Sequence, residues 1–224
     1  MIAASGPLVA VLDYGIGNLR SAQKALQHVG ADARLTADPA LVAAADAVVL
    51  PGVGAFGACM QALRGAGLEP VVYDAVASGR PFMGICVGMQ MLFSSSQEDP
   101  DDPGLGIIPG TIEWITSRWP RPQMQWNQLH LHPAESTPVD PMFEGLGKHP
   151  WVYFVHSLHG VPLDPTVVAA TCQYDGTVNA AFRSGNVFAT QFHPEKSGPA
   201  GLALLRNFVG LVQAVAGAPA SAPS

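Results

Sequence analysis

Charge is scarce in this chain. Only 12% of its residues are Asp, Glu, Lys or Arg, and 11 basic side chains face 17 acidic ones, a formal net charge of −6. No Lys/Arg cluster relieves the deficit, so the basic footprint that nucleic acid demands is missing and no nucleic-acid partner is expected. Cysteine is rare as well. Cys59, Cys86 and Cys172 are the only three; they cannot all pair and make no disulfide framework, so reduced thiols are expected. Long unbroken apolar runs are also lacking. The uncharged stretch AVVLPGVGAFGACMQAL is interrupted by Pro51, Gly52, Gly54 and Gly57 and reads as strand, loop and helix start, with no membrane helix indicated. The opening MIAASGPLVAVLD has neither the basic start nor the long apolar core of a secretory signal, which makes the cytoplasm the expected location.

What is present is a composition 48% hydrophobic over 224 residues, enough for a real core. One domain is expected over residues 1–216, with GAPASAPS, 217–224, as a disordered tail. LVAVLD is a short apolar run followed by the turn YGIGN and by LRSAQKALQHVG, whose Leu19, Ala22, Leu26 and Val29 recur at helical spacing. DARLT, ALVAAAD and AVVLPGVG repeat the alternation, as do PFMGI and CVGMQMLF. Strands and helices alternating without hairpins predict an α/β fold: a doubly wound, mostly parallel, flavodoxin-like sheet with helices on both faces. From Pro100 to about Pro165 the pattern changes. Pro and Gly become dense, and IEWIT, LHLH and WVYFV look extended, which we read as an antiparallel extension of the sheet. VVAATCQY, TVNAAFR and NVFATQF add three strands joined by DG and SGN hairpin turns, and PAGLALLRNFVGLVQAV closes the domain as a helix.

Two glycine loops follow strands. GIGNLR lacks the third glycine of a dinucleotide fingerprint and reads as a tight turn, although in such a sheet Asn18 would still stand at the ligand-binding edge. PGVGAFG lacks the Gly-Lys-Ser/Thr ending of a phosphate loop. Its close glycines can instead turn backbone N–H groups toward an anion, and an oxyanion hole is one such site.

GICVG reproduces the nucleophile-elbow pattern G-x-S-x-G with sulfur at the reactive position. Its glycines clear space around Cys86, and the N-terminus of the following helix would favour thiolate. A buried packing cysteine is the alternative, and it is the expected role of Cys59 and Cys172. A nucleophile needs a base and the base an orienter. Among seven histidines, His193 follows a predicted strand in HPEKSG, with Glu195 two residues on. His130 and His132 share a strand face but lack a third ligand, so no metal is expected; His156 and His159 flank a loop near the expected site.

GICVGMQ and ATQFHPEKSG together resemble the class I glutamine amidotransferases. DYGIGNLRS, LPGVGAFG and WVYFVHS narrow the resemblance to the glutaminase subunits of imidazole glycerol phosphate synthase, over about residues 8–213. The resemblance implies a catalytic triad of Cys86, His193 and Glu195 and no cofactor. It implies an oxyanion hole from the Val87 N–H and one N–H of Gly52, Val53 or Gly54. It places glutamine against Gln90, Glu98 and the backbone of Ser157 and Leu158. A separate (β/α)8 barrel cyclase would dock near Trp126 and Lys196, take the ammonia, and make imidazole glycerol phosphate and an aminoimidazole carboxamide ribonucleotide for histidine biosynthesis. A glutaminase serving another synthase and a catalytically silent docking subunit are the alternatives. Two stretches depart from the family pattern: PQMQWN, with Gln123 and Gln125 where the family has His and Gly, and FVHSLH in place of FVHSYY.

Overall fold

The computed structural model describes residues 6–133 and 139–217. The tail expected at 217–224 therefore lies outside the described residues except for Gly217. The chain opens with β1 (Leu8–Leu12), α1 (Leu19–His28), β2 (Asp32–Thr36), α2 (Pro39–Ala44) and β3 (Ala47–Gly52). It continues through α3 (Phe56–Gly65), α4 (Glu69–Ala77), β4 (Phe82–Cys86) and α5 (Val87–Gln90). These are the predicted strand–turn–helix units. Their strands are apolar runs buried on both sheet faces, as β3 and β4 show by burying every residue.

The remaining elements are β5 (Phe93–Ser96), β6 (Ile108–Trp114), β7 (Gln123–Gln128), β8 (His130–Leu131), β9 (Trp151–His156), β10 (Leu158–Pro162), β11 (Val168–Gln173), β12 (Thr177–Ser184), β13 (Val187–Thr190) and α6 (Gly198–Ala216). The main sheet has eight strands in the order β2-β1-β3-β4-β13-β12-β11-β8. From β2 to β13 the pairing is parallel. From β13 outward it is antiparallel. The order reverses between β1 and β3, and there the carboxyl ends of β1, β3, β4 and β13 share one edge. Doubly wound sheets bind ligands at such an edge.

The antiparallel extension exists, but its makeup differs from the expectation. Only β8, from the 100–165 segment, joins the main sheet, where it pairs with β11 through two residues. The other strands of that segment pair among themselves. β10, β6 and β5 form a three-stranded sheet, and β7 pairs with β9. The helix predicted over CVGMQMLF is likewise a single turn, Val87–Gln90. Phe93 belongs instead to β5, and its buried ring meets Phe182 edge-on at 5.2 Å. The gain from that packing outweighs the helical spacing of the apolar residues.

By length and apolar composition α6 would suffice to cross a membrane. It buries Gly201, Leu204, Leu205, Phe208, Val209 and Val212 in this fold. That i, i+3, i+4, i+7 stripe is the signature of a helix laid on a core.

Candidate active site

Cys86 ends β4 and leads into α5 with φ +56° and ψ −115°, a conformation that a residue with a Cβ rarely adopts. Such strain costs on the order of 1–3 kcal/mol and persists only where the surroundings enforce it. They do so here. A Cβ on Gly88 would stand 1.9 Å from the Leu50 carbonyl oxygen, and one on Gly84 2.9 Å from the Leu92 side chain and 3.0 Å from the Met89 backbone. Both glycines of GICVG are thus imposed by the approach of β3 and of the turn itself, and the expected elbow is present. With α5 only one turn long, the helix-dipole support expected for the thiolate is small, since it requires a longer stack of peptide dipoles.

The cationic partner is His193. Three residues beyond β13 its ring is 2% exposed, and its Nδ1 lies 2.8 Å from Glu195 Oε1. The turn carrying it is tied down by Ser197, whose Oγ donates to the His193 carbonyl at 2.6 Å and accepts from the Tyr153 N–H at 3.0 Å. Burial works to lower the pKa of His193, but its interactions with Cys86 and Glu195 outweigh it and bring the group to about 9. Since Nδ1 faces Glu195, Nε2 is left for the sulfur. Glu195 Oε2 has no hydrogen-bond partner among the described residues, so the imidazolium is the main compensation for that buried charge. A second polar group reaches Cys86: Gln191 Nε2 approaches the sulfur at 3.8 Å, and Gln191 Oε1 accepts from Gln90 Nε2 at 3.1 Å.

A cleft of about 470 Å³ opens over this group. It brings together nearly all the residues singled out in the sequence: Cys86, His193, Val53, Gly54, Val87, Gln90, Glu98, Ser157, Leu158, Lys196 and Asn18. Gly52 is different. It pairs with Cys86 across β3 and β4, and a Cβ there would meet the Gly88 nitrogen at 2.6 Å. Its role is to let the two strands close, and of the loop it is Val53 and Gly54 that line the cleft. Glu98 lines the cleft while one oxygen accepts the Phe56 N–H at 2.8 Å, capping α3, which has no local side-chain cap. Trp126 stands outside the cleft, 48% exposed on β7 with its ring 6.1 Å from Tyr153. His159 accepts the Asn179 N–H instead of entering the site, whereas His156 lines it. His130 stacks edge-on with His149, and His132 bonds Thr171.

The family model for "Glutamine amidotransferase class-I" matches residues 10–211. The chain belongs to the class-I glutamine amidotransferase family. Among its relatives, "Imidazole glycerol phosphate synthase subunit HisH" of Thermosynechococcus vestitus is 50% identical over 212 residues, 93% of this chain and 99% of that one. The protein of the same name from Syntrophotalea carbinolica is 48% identical over 209 residues, covering 90% and 98%. A solved structure titled "Crystal structure of glutamine amidotransferase" superposes with TM-score 0.71 at 25% identity, over 92% of this chain and 98% of that one. The structure of PurLQS from Thermotoga maritima shares the fold with TM-score 0.70 at 23% identity, covering 92% and 98%.

Within this amidotransferase fold, the residue that sequence reasoning missed beside the sulfur is Gln191. It lies in the quoted ATQFHP motif but carries no charge or turn signal of its own; only its place between β13 and His193 could have suggested it. Gln123 was noted merely as a departure from the family pattern, and the structure buries it completely.

Two predictions arise from this geometry. Gly88→Ala pushes a methyl into the Leu50 carbonyl, so its urea midpoint should fall by the equivalent of at least about 2 kcal/mol, within the range for overpacked interiors; an unchanged midpoint would mean that the elbow is not so confined. The raised pKa of His193 sets a sign for pH dependence. Its protonation stabilises the fold fully below the unfolded value of 6.5, and the contribution is lost as pH climbs to about 9. Urea denaturation across that window should therefore show a steeper loss for the wild type than for His193→Asn.

Proposed function

We propose that this chain is the glutaminase subunit of imidazole glycerol phosphate synthase, hydrolysing glutamine to glutamate and passing ammonia to a separate cyclase. The reading is carried by Cys86, on its strained turn, and His193 meeting in one cleft, with Glu195 bonded to the far nitrogen of His193. A relative that is half identical over nearly its whole length and is named a subunit of that synthase supports it.

In this reaction the Cys86 thiolate attacks the carbonyl carbon of the glutamine side-chain amide, and the carbonyl π electrons move onto oxygen. The Val87 N–H and one N–H of the Gly52–Gly54 segment hold the oxyanion; Val53 and Gly54 are the members of that segment on the cleft. As the tetrahedral carbon collapses, imidazolium His193 gives its proton to the departing nitrogen, and ammonia leaves a glutamyl thioester. A water deprotonated by His193 then attacks that carbon, glutamate departs and the thiolate returns. Glu195 holds the imidazole in orientation and stabilises its charged form. Gln90 and Glu98, with the backbone of Ser157 and Leu158, take the amino-acid end of glutamine.

The partner in this reading is a (β/α)8 barrel cyclase supplied as a second chain, docked where Trp126 and Met124 stand exposed on β7 and Lys196 stands at the mouth of the cleft. Ammonia then reaches a ribonucleotide intermediate inside the complex, which yields imidazole glycerol phosphate and an aminoimidazole carboxamide ribonucleotide in the cytoplasm.

The test is a glutaminase assay with and without the histidine-pathway cyclase. Cys86→Ala should lower glutamate release in the complex by at least about a thousandfold, the scale set by loss of a covalent nucleophile, while the cyclase still accepts free ammonia. Full glutamate release by Cys86→Ala would end the covalent mechanism. The chain alone should turn over slowly, because the Val53–Gly54 loop reaches its productive orientation with the partner present; rapid hydrolysis indifferent to the cyclase would contradict this.

A further inference from the structure

Behind the cleft lies a chain of buried polar groups that the mechanism above does not use. Gln123, fully buried on β7, sits between His156 on β9 and Cys172 on β11. Its Oε1 is placed 2.9 Å from His156 Nε2 and its Nε2 3.7 Å from Cys172 Sγ. The other nitrogen of His156, Nδ1, lies 2.6 Å from the Leu158 carbonyl oxygen. That oxygen can only accept, so Nδ1 carries a proton. If Gln123 Oε1 also faced Nε2, both ring nitrogens would have to donate and His156 would be a buried imidazolium.

Several observations speak against that charge. No carboxylate among the described residues is bonded to the ring; its partners are the Leu158 carbonyl, the Gln123 amide and the tilted ring of Phe154 at 5.4 Å. Burial, aided by the charge of nearby His193, brings His156 down to about 4, against a smaller opposing effect of the Leu158 bond. Cys172 is pushed up to about 12 by its own burial and so keeps its S–H as a donor. A side-chain amide turns its one oxygen and its one nitrogen to opposite partners, and the hydrogen-bond network decides which faces which. Turning the amide over satisfies every group: Cys172 S–H donates to Gln123 Oε1, Gln123 Nε2–H donates to His156 Nε2, and His156 Nδ1–H donates to Leu158.

The end of this relay is functional ground. The chain leaves one sheet and enters another at Ser157: β9 pairs with β7, while β10 begins at Leu158 and pairs with β6. This corner lines the cleft beside Cys86, and the imidazole of His156 bridges it from His156 to the Leu158 carbonyl.

We propose that Gln123 is a positioning residue for the glutamine pocket. Its amide, turned so that nitrogen faces His156, keeps that imidazole uncharged with its proton on Nδ1, and so fixes the Ser157–Leu158 corner against which the substrate lies. The proposal rests on the glutaminase reading for its kinetic consequence, though not for the proton assignment.

The experiment combines two measurements. Long-range ¹H–¹⁵N NMR of the imidazole nitrogens in the full chain at neutral pH should show His156 with Nδ1 protonated and Nε2 bare. Gln123→Leu, similar in volume but without the donor, should lose that single state. In the complex with the cyclase, the same variant should raise KM for glutamine about tenfold, the effect of one lost hydrogen bond at the upper end of its usual worth, with kcat changed less than about twofold. Gln123→Glu serves as the second variant. Its carboxylate stabilises a doubly protonated His156, so the spectrum should show imidazolium and KM should again rise. A wild-type spectrum with Nε2 protonated overturns the assignment, and an unchanged KM in both variants overturns the positioning role. Absence of glutamate release by the wild-type complex would fault the glutaminase reading and leave the spectrum to judge the proton assignment separately.

Discussion

The backbone at Cys86 is the constraint on which the rest of the site depends. A parallel strand that ends at φ +56° on a residue with a side chain cannot continue as strand, and the chain must turn sharply. The turn lifts the sulfur off the sheet edge while β3 passes so close behind it that Gly52 and Gly88 have no room for a Cβ. The strained residue is therefore held from three directions: by the β3 backbone at Leu50, by its flanking Gly84 and Gly88, and by the buried Leu92 side chain. Without that enclosure the strain would relax and the sulfur would fall back among the packing residues, where Cys59 and Cys172 already lie.

Topology does the rest of the assembly. In the strand order β3-β4-β13 the strand that ends at Cys86 is central, the Val53–Gly54 loop follows one neighbour and His193 follows the other. All three run parallel, so their carboxyl ends coincide in space although His193 follows Cys86 by more than a hundred positions. Parallel neighbours bring distant residues together without any bridging element. The second, smaller sheets serve a different purpose. They gather β5, β6, β7, β9 and β10 into two further sheets, so that Ser157 and Leu158 line the cleft and β7 presents Met124 and Trp126 outward. One strand, β7, thereby carries a buried polar residue facing the pocket wall and exposed apolar residues facing away.

The parallel half of the fold and the meeting of Cys86 with His193 were legible because their signals are local. Apolar runs such as AVVL and PFMGI, the two glycines around Cys86, and the His-Pro-Glu triplet each carry their meaning within a few residues. The 100–165 segment was legible only as extended chain. Whether WVYFV adds to the main sheet or pairs with QMQWNQ depends on partners that sequence spacing does not specify, and the bend at Ser157 carries no glycine or proline to announce it. The helix expected through Phe93 failed for a related reason: MQMLF has helical periodicity, but the long-range contact of Phe93 with Phe182 overrides it. Gln191 and Gln123 were invisible as functional groups because an uncharged amide acquires its role entirely from what it touches.

The central claim is that one sulfur of three forms a covalent bond to substrate. The measurement that tests it most directly is rapid acid quenching of the cyclase complex during glutamine turnover, followed by mass spectrometry of the cysteine peptides. A glutamyl adduct on the Cys86 peptide, with Cys59 and Cys172 unmodified and no adduct in His193→Asn, is the predicted result. An adduct on either of the other cysteines, or continued glutamate production with no adduct on Cys86 when hydrolysis of the intermediate is slowed, would contradict the account.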